Sequence, residues 1–151
     1  MVYLVSNTNT LFDNPHYTKL SIKDSLDLLE TFEEIQWDSE TSGRDPHIAK
    51  ILCIQFGNRQ RDIQIVVDIT TVDIQLYKNI LETKLLIGHN LKFDIQFVYS
   101  QGIIPRKVYD TMIVEQLLYL GYPPKGKPGG IGYSLDAVAD RYLGVFIDKS
   151  I

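Results

Sequence analysis

Apolar and polar positions along the chain change period partway, from alternation in twos to recurrence at helical spacing. Val2, Tyr3, Leu4 and Val5 read as a short strand, and residues 6–17, rich in Asn, Thr and Pro, as a loop. Ser21 can cap a helix with Asp24 at the capping-box position, and Ile22, Leu26, Leu29 and Phe32 form its apolar stripe. That helix leads into an acidic strand around Asp38 and Glu40. A second strand spans residues 51–56, and Gly57-Asn58-Arg59-Gln60 predicts a hairpin turn into a third at 63–69. Short connections between these three predict an antiparallel meander. Beyond it the spacing predicts a helix over 72–81, a short buried strand at 85–88, a helix over 91–99, a strand at 108–110 and a helix over 111–120. Strands followed by alternating helices and strands define an α/β fold, a mixed sheet flanked by helices. Residues 121–132, with Pro123, Pro124, Pro128 and several glycines, predict a flexible loop or flap, either a connector or substrate-facing. Ser134 then caps a helix through Leu135, Val138, Ala139 and Tyr142, and Gly144 ends it.

Composition narrows the function classes. The 151 residues suit one domain with a real core, and 44% hydrophobic with 23% charged residues is the make-up of a soluble globular protein. A net charge of −4 and a pI near 5.3 exclude a protein held on nucleic acid by bulk charge, so any such contact must be local or metal-mediated. Cys53, the lone cysteine, lies in an apolar run and reads as a buried thiol in a reducing compartment. No apolar run approaches the length of a membrane span and residues 1–10 carry no basic leader, so the expected location is cytoplasmic, with no membrane partner.

Candidate chemistry concentrates in two acidic segments. In Glu34-Ile35-Gln36-Trp37-Asp38-Ser39-Glu40-Thr41-Ser42-Gly43, strand geometry projects Asp38 and Glu40 from one side while Ser39 points away. Adjacent carboxylates repel unless a cation satisfies both, and oxygen-only ligands suit Mg²⁺ or Mn²⁺. A lone DxE is most often a solvated pair on an edge strand. Here Thr41-Ser42-Gly43 breaks the strand just after the acids and puts them beside a loop, where sites are built. The second segment is Gly88-His89-Asn90-Leu91-Lys92-Phe93-Asp94, where Asn90 is a good helix cap and Asp94 falls one turn into the helix.

Together these segments resemble the DEDD, or DnaQ-like, 3′-5′ exonucleases. Asp38-Ser39-Glu40-Thr41-Ser42-Gly43 with Asp45-Pro46 matches the first exonuclease motif and His89-Asn90-Leu91-Lys92-Phe93-Asp94 the second. Tyr109-Asp110-Thr111-Met112 and the run from Ser134-Leu135 through Arg141-Tyr142-Leu143-Gly144 to Asp148-Lys149-Ser150 look most like the proofreading domains of family-A DNA polymerases and ribonuclease D-like relatives. The resemblance implies a ribonuclease H-like mixed sheet, antiparallel in its first three strands and then parallel. Residues 1–33 would lead into an exonuclease-like domain over 34–151. It implies catalysis by two divalent ions, Mg²⁺ or Mn²⁺: Asp38 would bridge both, Glu40 would help hold the ion that carries the attacking water, and Asp94 would hold the other. Thr41, Ser42 and Asn90 would steer the terminal nucleotide, with Asp110 in an outer shell or simply anchoring a helix start. Leu91 and Phe93 read as core. The implied partner is the single-stranded 3′ end of DNA, with a DNA polymerase domain or subunit beside it.

The sequence departs from the family in one respect. No Tyr is followed four residues later by an acid, and the His89 to Asp94 spacing falls inside the second motif, so the third motif and its fourth acid are missing. The expectation is a fragment, a split-gene product or a degenerate domain, truncated before its last helices and nearly inert as a nuclease on its own, with Asp136, Asp140 and Asp148 each read either as a substitute for the absent acid or, more often, as a residue of a solvated face. Two alternatives stay open: an incomplete module that binds nucleic acid or protein, and an exoribonuclease, since nothing in the sequence reads a 2′ hydroxyl.

Overall fold

This computed structural model describes residues 1–8 and 16–147, so part of the loop expected over 6–17 and the Asp148-Lys149-Ser150 segment lie outside the described residues. Seven strands, β1 (Val2–Val5), β2 (Thr18–Lys19), β3 (Glu34–Thr41), β4 (Ile51–Gly57), β5 (Gln64–Asp68), β6 (Leu85–Gly88) and β7 (Lys107–Asp110), form one mixed sheet in the order β2-β1-β5-β4-β3-β6-β7. The meander is there: β3 pairs antiparallel with β4 and β4 with β5. β3 then pairs in parallel with β6, and β1 in parallel with β5. β2 escapes the sequence reading because Thr18 and Lys19, both exposed, are too short a run to carry a period.

The chain divides into two compact units, residues 1–109 and 110–151. In the first, the strand register aligns Trp37, Phe56 and Ile65 in one row and Ser39, Ile54 and Val67 in the next, all buried on one sheet face. α1 (Ile22–Glu30) and α2 (Lys78–Thr83) cover that face: Phe56 stacks on Tyr77 at 5.8 Å between centroids, and the Tyr77 hydroxyl shares a 2.6 Å hydrogen bond with buried Ser25 of α1. Burying each large side chain contributes about 1.5–3 kcal/mol. Ser21 caps α1 as expected, accepting the Asp24 N–H at 3.0 Å. The helix expected over 72–81 instead begins as a 3-10 turn at Ile74–Tyr77 and continues as α2. Asp73 causes the offset, because its side chain accepts the Gln75 N–H at 2.9 Å and starts the turn there.

β6 ends at Gly88, two residues before α3 (Leu91–Ser100). A Cβ on Gly88 would lie 2.6 Å from the Trp37 carbonyl oxygen and 2.4 Å from Leu91 Cδ2. Only glycine lets the start of α3 sit this close to β3.

In the second unit, Asp110 caps α4 (Thr111–Leu118) by accepting the Met112 N–H at 2.9 Å. Gly144, at φ 62°, ends α5 (Leu135–Leu143) as expected, but Ser134 makes no side-chain hydrogen bond to cap it. Residues 121–132 form no helix or strand, as expected of a loop, and fold back on themselves: the Lys127 N–H donates to Pro124 O, Gly130 N–H to Lys127 O and Ile131 N–H to Pro123 O, at 3.2, 2.8 and 2.9 Å. Arg141 ties the unit together. It pairs with buried Glu115, donates to Gly132 O at 2.6 Å and lies 4.8 Å over the Tyr119 ring.

Two substitutions test this account. Arg141→Ala leaves Glu115 buried without its cation and should lower the stability of the second unit by about 2–3 kcal/mol, read as faster amide exchange across α4 and α5. Gly88→Ala forces backbone movement against Trp37 and should cost about 2–3 kcal/mol, read as a lower urea midpoint.

Candidate active site

Strand β3 presents different chemistry on its two faces. Ile35, Trp37 and Ser39 point into the core, while Gln36, Asp38 and Glu40 point outward, as the alternation predicts. On the outward face Asp38 stands opposite Gln55 and Glu40 opposite Cys53, with Asp68 on the far side of Cys53. Cys53 is half-buried instead of fully buried, and burial, then the Glu40 charge, push its thiol up. The register shifts between Glu40 and Thr41, a bulge that ends the ladder just past the acids.

The loop that follows is closed by the two hydroxyls expected to meet substrate. Thr41 Oγ1 donates to Gly43 O at 2.7 Å, and Ser42 Oγ accepts the Lys50 N–H at 2.9 Å while its own N–H donates to Lys50 O. Asp45 Oδ1 accepts the His47 N–H at 2.9 Å and completes the turn.

Asp94 reaches the site from the other face. It lies one turn into α3, is 3% exposed, and its Oδ1 accepts a 2.5 Å hydrogen bond from Ser39 Oγ. Asn90 occupies the N-cap, but with backbone in the left-handed region (φ 64°, ψ 41°) and no side-chain capping bond, which corrects the expected capping role. Asparagine tolerates that conformation better than most residues. Leu91 is buried, and Phe93 packs on Phe97 at 5.1 Å between centroids. Asp110 sits in the second unit as the α4 cap, and of the substitute acids there Asp140 is exposed and Asp136 half-buried.

The electrostatics favour a cation. Burial, only partly countered by the Ser39 hydrogen bond, pushes the Asp94 carboxyl up to about 6, and the charge of Asp38 adds to the rise. Solvent reaches Asp38, yet the packing around it raises its carboxyl as well. Among the described residues none of Asp38, Glu40 and Asp94 forms an ion pair with Lys or Arg. Gln55 Oε1, across from Asp38, is buried with no hydrogen-bond partner among the described residues. Oxygen-only carboxylates with no neighbouring cation are the chemistry that suits a hard divalent ion. Glu40 pairs with Cys53 across the ladder, and no three His, Cys, Asp or Glu side chains among the described residues converge to hold an ion. A groove of about 620 Å³ lined by Phe32, Glu34, Asn58 and Arg59 lies at the far end of β3 from Thr41 and shares none of these residues.

Sequence reasoning missed Ser39. Its signal was a polar side chain in the buried half of an alternating strand, the third in the series Ile35, Trp37, Ser39.

The mixed sheet flanked by helices is a ribonuclease H-like α/β fold. The 3′-5′ exonuclease family model matches residues 7–151, and the chain belongs to that family. It is 31% identical over 130 residues to DNA polymerase I of Aquifex aeolicus, covering 85% of this chain and 20% of that protein. Against DNA polymerase I of Borreliella burgdorferi identity is 28% over 137 residues, 83% of this chain and 14% of that protein, so the chain spans about a fifth or less of these relatives. Among solved structures it is similar to Brucella melitensis NrnC with bound Mg²⁺, at TM-score 0.64 and 18% identity over 99% of this chain and 65% of that one. Escherichia coli RNase D, an exoribonuclease involved in structured RNA processing, aligns at TM-score 0.66 and 20% identity over 85% of this chain and 32% of that one. No helix among the described residues is long and apolar enough to cross a membrane.

The burial of Asp94 predicts a pH dependence in metal-free protein. A carboxyl raised on folding adds stability below its unfolded value, near 4, and that stability is lost as pH rises through about 6. With EDTA present, the unfolding free energy should rise by about 2 kcal/mol between pH 7 and pH 4.5, and Asp94→Asn should flatten the curve. Asp68, whose carboxyl is held low by hydrogen bonds from Thr70, Ser6 and Thr71, acts in the opposite sense only below about pH 4. Urea midpoints across this range check the prediction; a rise of equal size in Asp94→Asn would refute it.

Proposed function

We propose that this chain is a metal-dependent 3′-5′ exonuclease domain that shortens single-stranded DNA from its 3′ end, in the proofreading service of an intracellular DNA polymerase. The observation that carries the reading is the family match over residues 7–151, within which fall both acidic segments. The likeness to DNA polymerase I, at 31% identity, favours DNA over RNA as substrate.

Asp38, Glu40 and Asp94 would hold Mg²⁺ or Mn²⁺. When bound, the ions supply Lewis-acid activation of water and neutralise charge on the departing 3′ oxygen. The chain contributes the rest. Asp38 and Asp94 hold charge where packing and mutual repulsion make bare carboxylates costly, so the pair is set to favour a cation over a proton at neutral pH. Thr41 and Ser42 fix the loop beside the acids, leaving its backbone, with Asn90, to steer the terminal nucleotide. Asp110 serves its own unit as a helix anchor, capping the start of α4.

A second reading, a module that binds nucleic acid or a protein partner without cutting it, is favoured by the lack of a three-acid cluster among the described residues. One assay separates the two. Single-turnover digestion of 5′-labelled DNA and RNA strands of equal sequence in Mn²⁺ should give a ladder on DNA, a slow one because the third-motif acid is missing from these residues, and Asp38→Ala should abolish it. A ladder that survives Asp38→Ala overturns the site. Binding of labelled strand with no ladder from the parent chain supports the second reading, and faster laddering on RNA makes it an exoribonuclease.

A further inference from the structure

We propose that Ser39 is a positioning residue for the exonuclease site: its hydroxyl fixes Asp94 so that one carboxylate oxygen is engaged inside the core and the other is presented to the ion. The inference rests on Asp94 being a metal ligand and adds a residue that the acidic motif leaves unassigned. Three observations carry it. Ser39 is 7% exposed and Asp94 3% exposed, so their 2.5 Å hydrogen bond is sheltered from water. The bond names one oxygen, Oδ1, and a carboxylate that accepts through one oxygen cannot rotate freely about its terminal torsion. Ser39 also occupies a position where the strand otherwise buries Ile35 and Trp37, and a hydroxyl there is unfavourable unless it has a partner.

The geometry behind this is the close seating of α3. Gly88 lets the start of α3 pass against the Trp37 carbonyl, which brings Asp94, one turn along, over the inward side of β3 at Ser39. Asp38, the outward neighbour of Ser39 in sequence, thus acts on Asp94 through its charge, while Ser39 holds Asp94 through a hydrogen bond. One strand therefore supplies both a candidate ligand and the device that orients a ligand arriving from elsewhere.

The test is calorimetric titration of the full chain with Mn²⁺, comparing the parent with Ser39→Ala, Ser39→Thr and Asp94→Asn. Ser39→Ala should weaken Mn²⁺ binding by about tenfold or more, the usual effect of losing a group that orients a metal ligand, and Ser39→Thr, which keeps the hydroxyl, should restore it. The metal-free urea midpoint is measured alongside, because a merely structural serine would shift that midpoint without changing affinity. Parent-like affinity in Ser39→Ala while Asp94→Asn binds weakly, or a Ser39→Thr chain no better than Ser39→Ala, overturns the proposal. If Asp94→Asn also binds like the parent, the Asp94 assignment itself has failed.

Discussion

An ionised carboxylate taken out of water must be compensated by hydrogen bonds or by an opposite charge, and Asp94 is the residue of the first unit on which this constraint falls hardest. It is buried at the seam between α3 and β3, takes a hydrogen bond from Ser39, and stands within reach of the Asp38 charge. The surrounding structure is arranged so that this contact can exist. Gly88 gives up its side chain to bring the helix in, and the parallel pairing of β3 with β6 delivers that helix to the correct end of the strand. The carboxyl is left partly compensated, which a binding site tolerates and a purely structural core does not.

Much of the fold could be read from periodicity, because one-sided burial forces it. The meander β3-β4-β5 follows from alternation, and Ser21 and Gly144 act at the helix ends where their types predict. What could not be read depended on contacts that leave no period. β2 exists because two exposed residues find an edge on β1, and the 3-10 turn exists because Asp73 reaches the Gln75 N–H. The compact loop over 121–132 depends on local carbonyls and on Arg141, which lies well beyond it in sequence.

The candidate site was legible in its residue types and only partly in its geometry. Alternation placed Asp38 and Glu40 on one face, as found. It could not tell that Glu40 would stand over Cys53, nor that Asp94 would arrive on the Ser39 side, since both depend on the pairing of strands distant in sequence. Asn90 shows the same limit: a residue type that usually caps with its side chain serves here through its backbone conformation.

The parallel pairing of β3 with β6 has a further consequence, for the order of assembly. β3, β4 and β5 are near neighbours in sequence and can pair early, whereas β6 must close a loop spanning the whole meander and α2 before it reaches β3. Loop-closure entropy delays such non-local contacts. A chain caught at the meander stage thus already displays Asp38 and Glu40, while Asp94 comes only with β6 and α3. The β3–β6 pairing is the step that brings the two acidic segments together, so a half-folded or newly made chain that lacks it displays Asp38 and Glu40 without Asp94.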